Sequence, residues 1–157
     1  MTPPNVAVYN WIRQGFDFDG RASRSDYWWP RVFVFTINLV LLFVFTAGLT
    51  LEQTTELMDW LAPRPLSFET LNMGPLSSMS VFALVFGTVF GVLTFIPDLS
   101  LSWRRFHDLG RPGWLHLTFL IAGAFFALIA FVEFIWFALP GTTGENRYGP
   151  DPLDRWR

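Results

Sequence analysis

Three long apolar runs, residues 32–51, 80–97 and 114–139, alternate along this chain with polar segments that hold most of its charge. A helix of about 20 residues, rising 1.5 Å per residue, crosses a hydrocarbon core about 30 Å thick. Lipid offers no partner to a bare backbone amide, so each run predicts a transmembrane helix. Upstream, Val8, Trp11, Ile12 and Phe16 recur at helical spacing. That pattern predicts a short amphipathic helix lying in the membrane interface within residues 1–27. Residues 140–157 are rich in proline and glycine and read as an irregular polar tail. The expected fold class is all-α: one polytopic membrane domain of about three transmembrane helices plus the interfacial N-terminal helix.

Punctuation refines this picture. Asp19-Gly20 is a turn signal, and Ser23 with Asp26 three residues on has the spacing of a capping box. Pro30 is expected to kink the first long helix and Pro97 to kink or end the second. Residues 99–109 look like a helical continuation stopped by Gly110 and Pro112. Between the first two spans, residues 54–61 suit an interfacial turn of helix, and Pro63, Pro65 and Pro75 break anything longer. Ala83, Gly87 and Gly91 recur every four residues, a register that lets another helix approach closely.

Composition adds exclusions. The chain has 157 residues, too few for two domains with separate cores. Cys is 0, so disulfides, thiolate catalysis and Cys-based metal sites are excluded. Aromatics reach 18%, and Trp28, Trp29, Trp103, Trp114 and Trp136 sit at span edges, where amphipathic rings favour the interface. Every cationic side chain is arginine and the net charge is -2 with no basic run, so no nucleic-acid partner is expected. The N-terminus lacks the apolar core and cleavage site of a signal peptide, so the first span is expected to act as its own targeting signal. Arg13, Arg21, Arg24 and Arg31 precede span one, Arg104, Arg105 and Arg111 follow span two, and Arg64 alone lies between them. By the positive-inside rule the N-terminus and the second loop are cytoplasmic. Three full crossings would then put the tail outside, against the sense of Arg147, Arg155 and Arg157.

Three polar strings carry a resemblance. They are Gly-Arg-Ala-Ser-Arg-Ser-Asp-Tyr-Trp-Trp from Gly20, Arg-Arg-Phe-His-Asp-Leu-Gly-Arg-Pro-Gly-Trp from Arg104, and Gly-Thr-Thr-Gly-Glu-Asn-Arg-Tyr-Gly-Pro-Asp-Pro from Gly141. In that order, over residues 16–152, the chain resembles the YhaH-like bacterial inner-membrane family called domain of unknown function 805. Asp26, Phe106 and Pro112 depart mildly from the family pattern, and the loop between spans one and two looks long for it. The resemblance implies a small multi-span protein of the bacterial inner membrane and no particular activity.

Each motif has a structural and a functional reading. Arg104, His107, Asp108 and Arg111 share a helix face. The motif reads either as a juxtamembrane anchor docked on the first motif or as a lipid-headgroup or anion site built from Arg104, Arg105 and Arg111 with His107 titrating. Arg21 and Arg24 either grip lipid phosphates or meet Asp108, while Asp26 serves the capping box. Asn146, Arg147, Tyr148 and Gly149 suit turns that fold back on a span end. Glu133, inside the third run, is a candidate intramembrane ionisable group, and His116 reads as interfacial. His107, His116 and Asp108 match no metal-ligand spacing, and no metal or other cofactor is expected. The partners expected are the bilayer and other membrane subunits or a second copy, meeting the Ala83–Gly87–Gly91 groove. The function expected is that of a non-enzymatic accessory or interaction subunit. The alternative is a small oligomeric transporter, channel or lipid-handling protein using Glu133 and the arginines.

Overall fold

The computed structural model describes residues 1–48, 58 and 78–154. The expectations for residues 54–61, for Pro63, Arg64, Pro65 and Pro75, and for Arg155 and Arg157 lie outside the described residues. The described residues form five helices: α1 (Pro4–Arg13), α2 (Arg24–Ala47), α3 (Ser78–Asp108), α4 (Leu115–Phe125) and α5 (Ala127–Ala138). Two units divide the chain, Met1–Val34 with Leu93–Arg157, and Phe35–Val92.

The ends of the long helices follow their local chemistry. At the start of α2, Asp26 N–H donates to Ser23 Oγ at 3.3 Å and Ser23 N–H donates to Asp26 Oδ2 at 3.0 Å. This is the reciprocal capping box, closed by an aspartate. At the end of α3, Arg111 N–H donates to the Phe106 carbonyl at 2.9 Å and Gly110 N–H to the His107 carbonyl at 3.0 Å. Gly110 has φ 70°, so this is a Schellman ending that a side-chain-bearing residue would strain. Both helices run through their internal prolines, so Pro97 does not end α3 as one reading allowed. With 24 and 31 residues, α2 and α3 are long and apolar enough to cross a membrane.

The third apolar run is helical in two pieces rather than one. Phe126 breaks it with an extended backbone, φ -135° and ψ 97°, and α4 packs back on α5. No proline marks the break. What holds the two pieces together is their side chains: Phe119 lies 5.4 Å from Trp136 between ring centres, and His116 Nδ1 lies 2.7 Å from Glu133 Oε1.

In the unit containing both termini, Trp11, Ala22, Tyr27, Leu101, Phe106 and Phe137 form the buried core. Phe106 is its centre, 0% exposed and edge-on to Phe137 at 4.9 Å. Arg31 on α2 pairs with Asp98 on α3 at 2.8 Å and donates to Ser102 Oγ at 2.9 Å. Arg31 directly precedes the apolar stretch of α2, and Asp98 directly follows that of α3.

In the other unit, α2 and α3 pack through small groups. Ala83 is buried, a Cβ on Gly87 would meet Leu41 at 3.6 Å, and Ser80 Oγ donates to the Phe45 carbonyl at 3.0 Å. Thr46 and Thr88 turn their hydroxyls back to the carbonyls of Leu42 and Leu84, which hides polar atoms from lipid. Phe82, Phe86 and Phe90 form a stacked ladder along α3.

Candidate functional site

The three polar strings converge on one carboxylate. Asp108, in the last turn of α3, is 3% exposed. Its Oδ1 accepts from Arg21 Nε at 3.0 Å, with Arg21 Nη2 2.9 Å away, and its Oδ2 accepts from Arg105 Nη1. The strings meet because α3 ends there: Ala22 N–H donates to the Arg104 carbonyl at 3.1 Å, and Thr142 N–H to the Asp108 carbonyl at 2.8 Å. The C-terminal carbonyls of α3 are thus capped by the first and third strings.

Arg105 is 0% exposed. It makes five hydrogen bonds, to Asp108 Oδ2, to the Ala22 carbonyl, twice to the Phe137 carbonyl and once to the Leu139 carbonyl. A guanidinium has five N–H donors, so none remains for a phosphate. Arg21 gives its other donors to the carbonyls of Thr142, Gly144 and Gly149, strapping the tail onto the knot. Glycine is required where the strap crosses, because a Cβ on Gly141 would overlap the Asp108 carboxylate, and also before α4, where one on Gly113 would overlap the Trp103 ring.

Beside this knot, His107 and Tyr148 stack at 3.8 Å with 4° between planes, and the Arg147 guanidinium lies over the Tyr148 ring at 4.7 Å. His107 Nδ1 is 3.0 Å from the Gly20 carbonyl and so carries the proton. Asn146 donates to the His107 carbonyl at 3.0 Å and to Thr142 Oγ1 at 2.8 Å, and its backbone bridges Gly149. These residues lie past the apolar stretch of α3. Burial pushes the His107 imidazole below its ordinary value, against the pull of the Gly20 carbonyl. Burial likewise pushes the Asp108 carboxyl up, opposed by Arg105 and Arg21.

The remaining sequence candidates separate. Arg104 is buried, bonded to Gln14 and to the Ser100 carbonyl. Asp26 closes the capping box. Arg24 and Arg111 are exposed, and Arg24 borders a cleft of about 200 Å³ lined also by Ser23, Asp108, Thr142 and Asp151. The expected anion site of Arg104, Arg105 and Arg111 with His107 is therefore divided: Arg104, Arg105 and His107 face inward on protein partners, and Arg111 faces out. Asp108 is no free base, because both its oxygens are held by guanidinium groups. Glu133 sits apart from the knot and pairs with His116, each side chain 13% exposed. Among the described residues no group of three or more metal-ligating side chains comes together. Gly91 lies open, with nothing within 4 Å of an added Cβ. Sequence reasoning missed Arg31–Asp98, whose only signal is that each charge abuts the end of an apolar run. It also missed the pairing of His116 with Glu133, 17 residues apart, which needs the break at Phe126.

Comparison with known proteins places the chain in a family. The family described as "Protein of unknown function (DUF805)" matches residues 15–150, which takes in all three strings up to Pro150. "Inner membrane protein YhaH" of Escherichia coli (strain K12) is 32% identical over 135 residues, 86% of each chain. "Inner membrane protein YhaI" of the same strain is 43% identical over 60 residues, 38% of this chain and 47% of that protein. No solved structure matches. The chain belongs to the DUF805 family and is a multi-span, all-helical protein of the bacterial inner membrane.

Proposed function

We propose that this protein is a non-enzymatic accessory or interaction subunit of an inner-membrane assembly, with the Arg21–Asp108 end on the cytoplasmic side. The observation that carries this reading is the use of the motifs: Arg21, Arg105 and Asp108 spend their hydrogen bonds on one another and on the chain's own carbonyls. Motifs used this way build a fixed platform. The outward features are apolar helix faces and the open step at Gly91. The orientation rests on arginine placement, since among the described residues Arg13, Arg24, Arg111 and Arg147 are the exposed arginines and all lie in the unit that holds the knot. Exposed Arg24 and Arg111 are available to lipid headgroups, whereas Arg21, Arg104 and Arg105 are not.

Purification from native membranes in mild detergent tests the reading. A discrete assembly larger than one chain, weakened by Gly91→Leu, supports it; a monomer in both detergent and native membrane overturns it. A transporter, channel or lipid-handling role is the second reading, favoured by the His116–Glu133 pair inside an apolar hairpin. Three or fewer crossings enclose little pathway, so that reading requires an oligomer.

A further inference from the structure

We infer that α4 and α5 form a re-entrant hairpin that enters the bilayer from the Arg21–Asp108 end, sits among the acyl chains of one leaflet, and returns the tail to the side it left. Length is the first argument. The two helices have 11 and 12 residues. At 1.5 Å per residue each reaches about 17 Å, roughly half of a hydrocarbon core about 30 Å thick.

The second argument is that both ends are fastened to one polar layer. Gly113, just before α4, lies against Trp103, and the Phe137 and Leu139 carbonyls that end α5 are held by Arg105. The tail beyond Leu139 goes straight to Asp108 and Arg21 through Thr142. No part of this path leads to the far side of a membrane.

Direction is the third. Phe137 packs on Tyr27 at 4.6 Å and Phe134 on Trp28 at 4.8 Å, so α5 runs antiparallel to the start of α2. Followed backwards from Leu139, α5 runs in the same sense as the first turns of α2, residues 27–34, in its own unit. At the tip, Phe125 is 78% exposed, Phe126 66% and Leu128 81%. A rim of this kind suits acyl chains and is unfavourable in water.

The polar groups of the hairpin are arranged for that setting. Phe126 is extended, yet its N–H donates to the Ala122 carbonyl at 2.9 Å and its carbonyl accepts from Ile129 N–H at 2.9 Å. The turn therefore leaves neither of its own backbone groups bare in lipid. His116 and Glu133 point at each other across the hairpin instead of outward.

The chain has no cysteine, so single cysteines can be labelled without background. Asp17→Cys, Glu145→Cys and Phe126→Cys are placed at exposed positions in the N-terminal segment, the tail and the tip. A membrane-impermeant maleimide is applied to intact cells and to inside-out vesicles. Asp17→Cys and Glu145→Cys should react together, in the vesicles only, and Phe126→Cys should react in neither preparation until detergent is added. Reaction of Glu145→Cys and Asp17→Cys from opposite sides overturns the hairpin in favour of a third crossing. Reaction of Phe126→Cys in either preparation overturns its burial in lipid. Both Asp17→Cys and Glu145→Cys reacting in intact cells alone would keep the hairpin and overturn only the cytoplasmic orientation proposed above.

Discussion

Asp108 is the residue on which the polar end of the molecule turns. It is a single carboxylate between two guanidinium groups, one from the first string and one from its own helix. Removing one member of a buried ion pair leaves an uncompensated charge and costs about 3–5 kcal/mol. Asp108→Asn should therefore lower the melting temperature strongly, and Arg21→Gln should do the same. The double variant should lose clearly less than the sum, because the two changes break one shared network. Fully additive losses would show that Arg21 and Asp108 do not meet. His107, one residue earlier, gives the same end a pH dependence. Its folded value is depressed by burial, so below about pH 6.5 the unfolded chain binds a proton that the folded chain resists. The stabilisation is present in full above that pH and is lost as pH falls through the folded value. Melting curves from pH 8 to pH 5 should fall more steeply for the parent than for His107→Gln. Equal slopes would mean that His107 titrates alike in both states.

Among the elements, those whose signals are local were legible in the sequence. The capping box at Ser23 and Asp26, the stop at Gly110 and the amphipathic α1 each need only a few neighbouring residues, and each lies where its pattern put it, save that α1 ends at Arg13 and leaves Phe16 in the turn beyond. Two of the three apolar runs are also long helices, as their composition requires. The third run shows the limit of such reading. Hydropathy measures how apolar a segment is and not whether it turns back, and residues 114–139 carry no proline or charged cluster at the turn. The break at Phe126 is decided by contacts between His116 and Glu133 and between Phe119 and Trp136, which no local window contains. The role of Arg105 as a cap on the end of α5 was invisible for the same reason. The His116–Glu133 pair has a test of its own. His116→Leu strands a carboxyl and Glu133→Leu strands an imidazole in apolar surroundings, so each should destabilise the protein. The combined His116→Leu, Glu133→Leu variant should recover most of that loss, because a buried polar pair replaced by apolar side chains is often neutral or better. A double variant as unstable as the worse single would mean the pair does more than hold the hairpin closed.

At the scale of the whole molecule, the arginines sort by exposure. Among the described residues, Arg21, Arg104 and Arg105 are buried on protein acceptors, Arg31 is held by Asp98, and Arg13, Arg24, Arg111 and Arg147 face outward. The first group holds the fold and the second sets orientation, which is why motif residues adjacent in sequence have different duties. The same sorting applies to the small-residue register. Ala83 is buried and Gly87 faces Leu41 of the same chain, so those two steps serve packing between α2 and α3. Gly91 alone opens to its surroundings. Gly87→Leu should therefore lower stability by forcing Leu41 aside, typically by about 1–3 kcal/mol for an overpacked site. It is a poor probe of association for that reason. Gly91→Leu adds its side chain where a Cβ meets nothing within 4 Å, so the melting temperature should stay near that of the parent. Close approach of another helix would then be blocked at that step alone. Cross-linking in native membranes should show the parent in assemblies and Gly91→Leu depleted from them. If Gly91→Leu is folded and associates as the parent does, the exposed end of the register is a lipid-facing surface, and any partner must meet the molecule elsewhere.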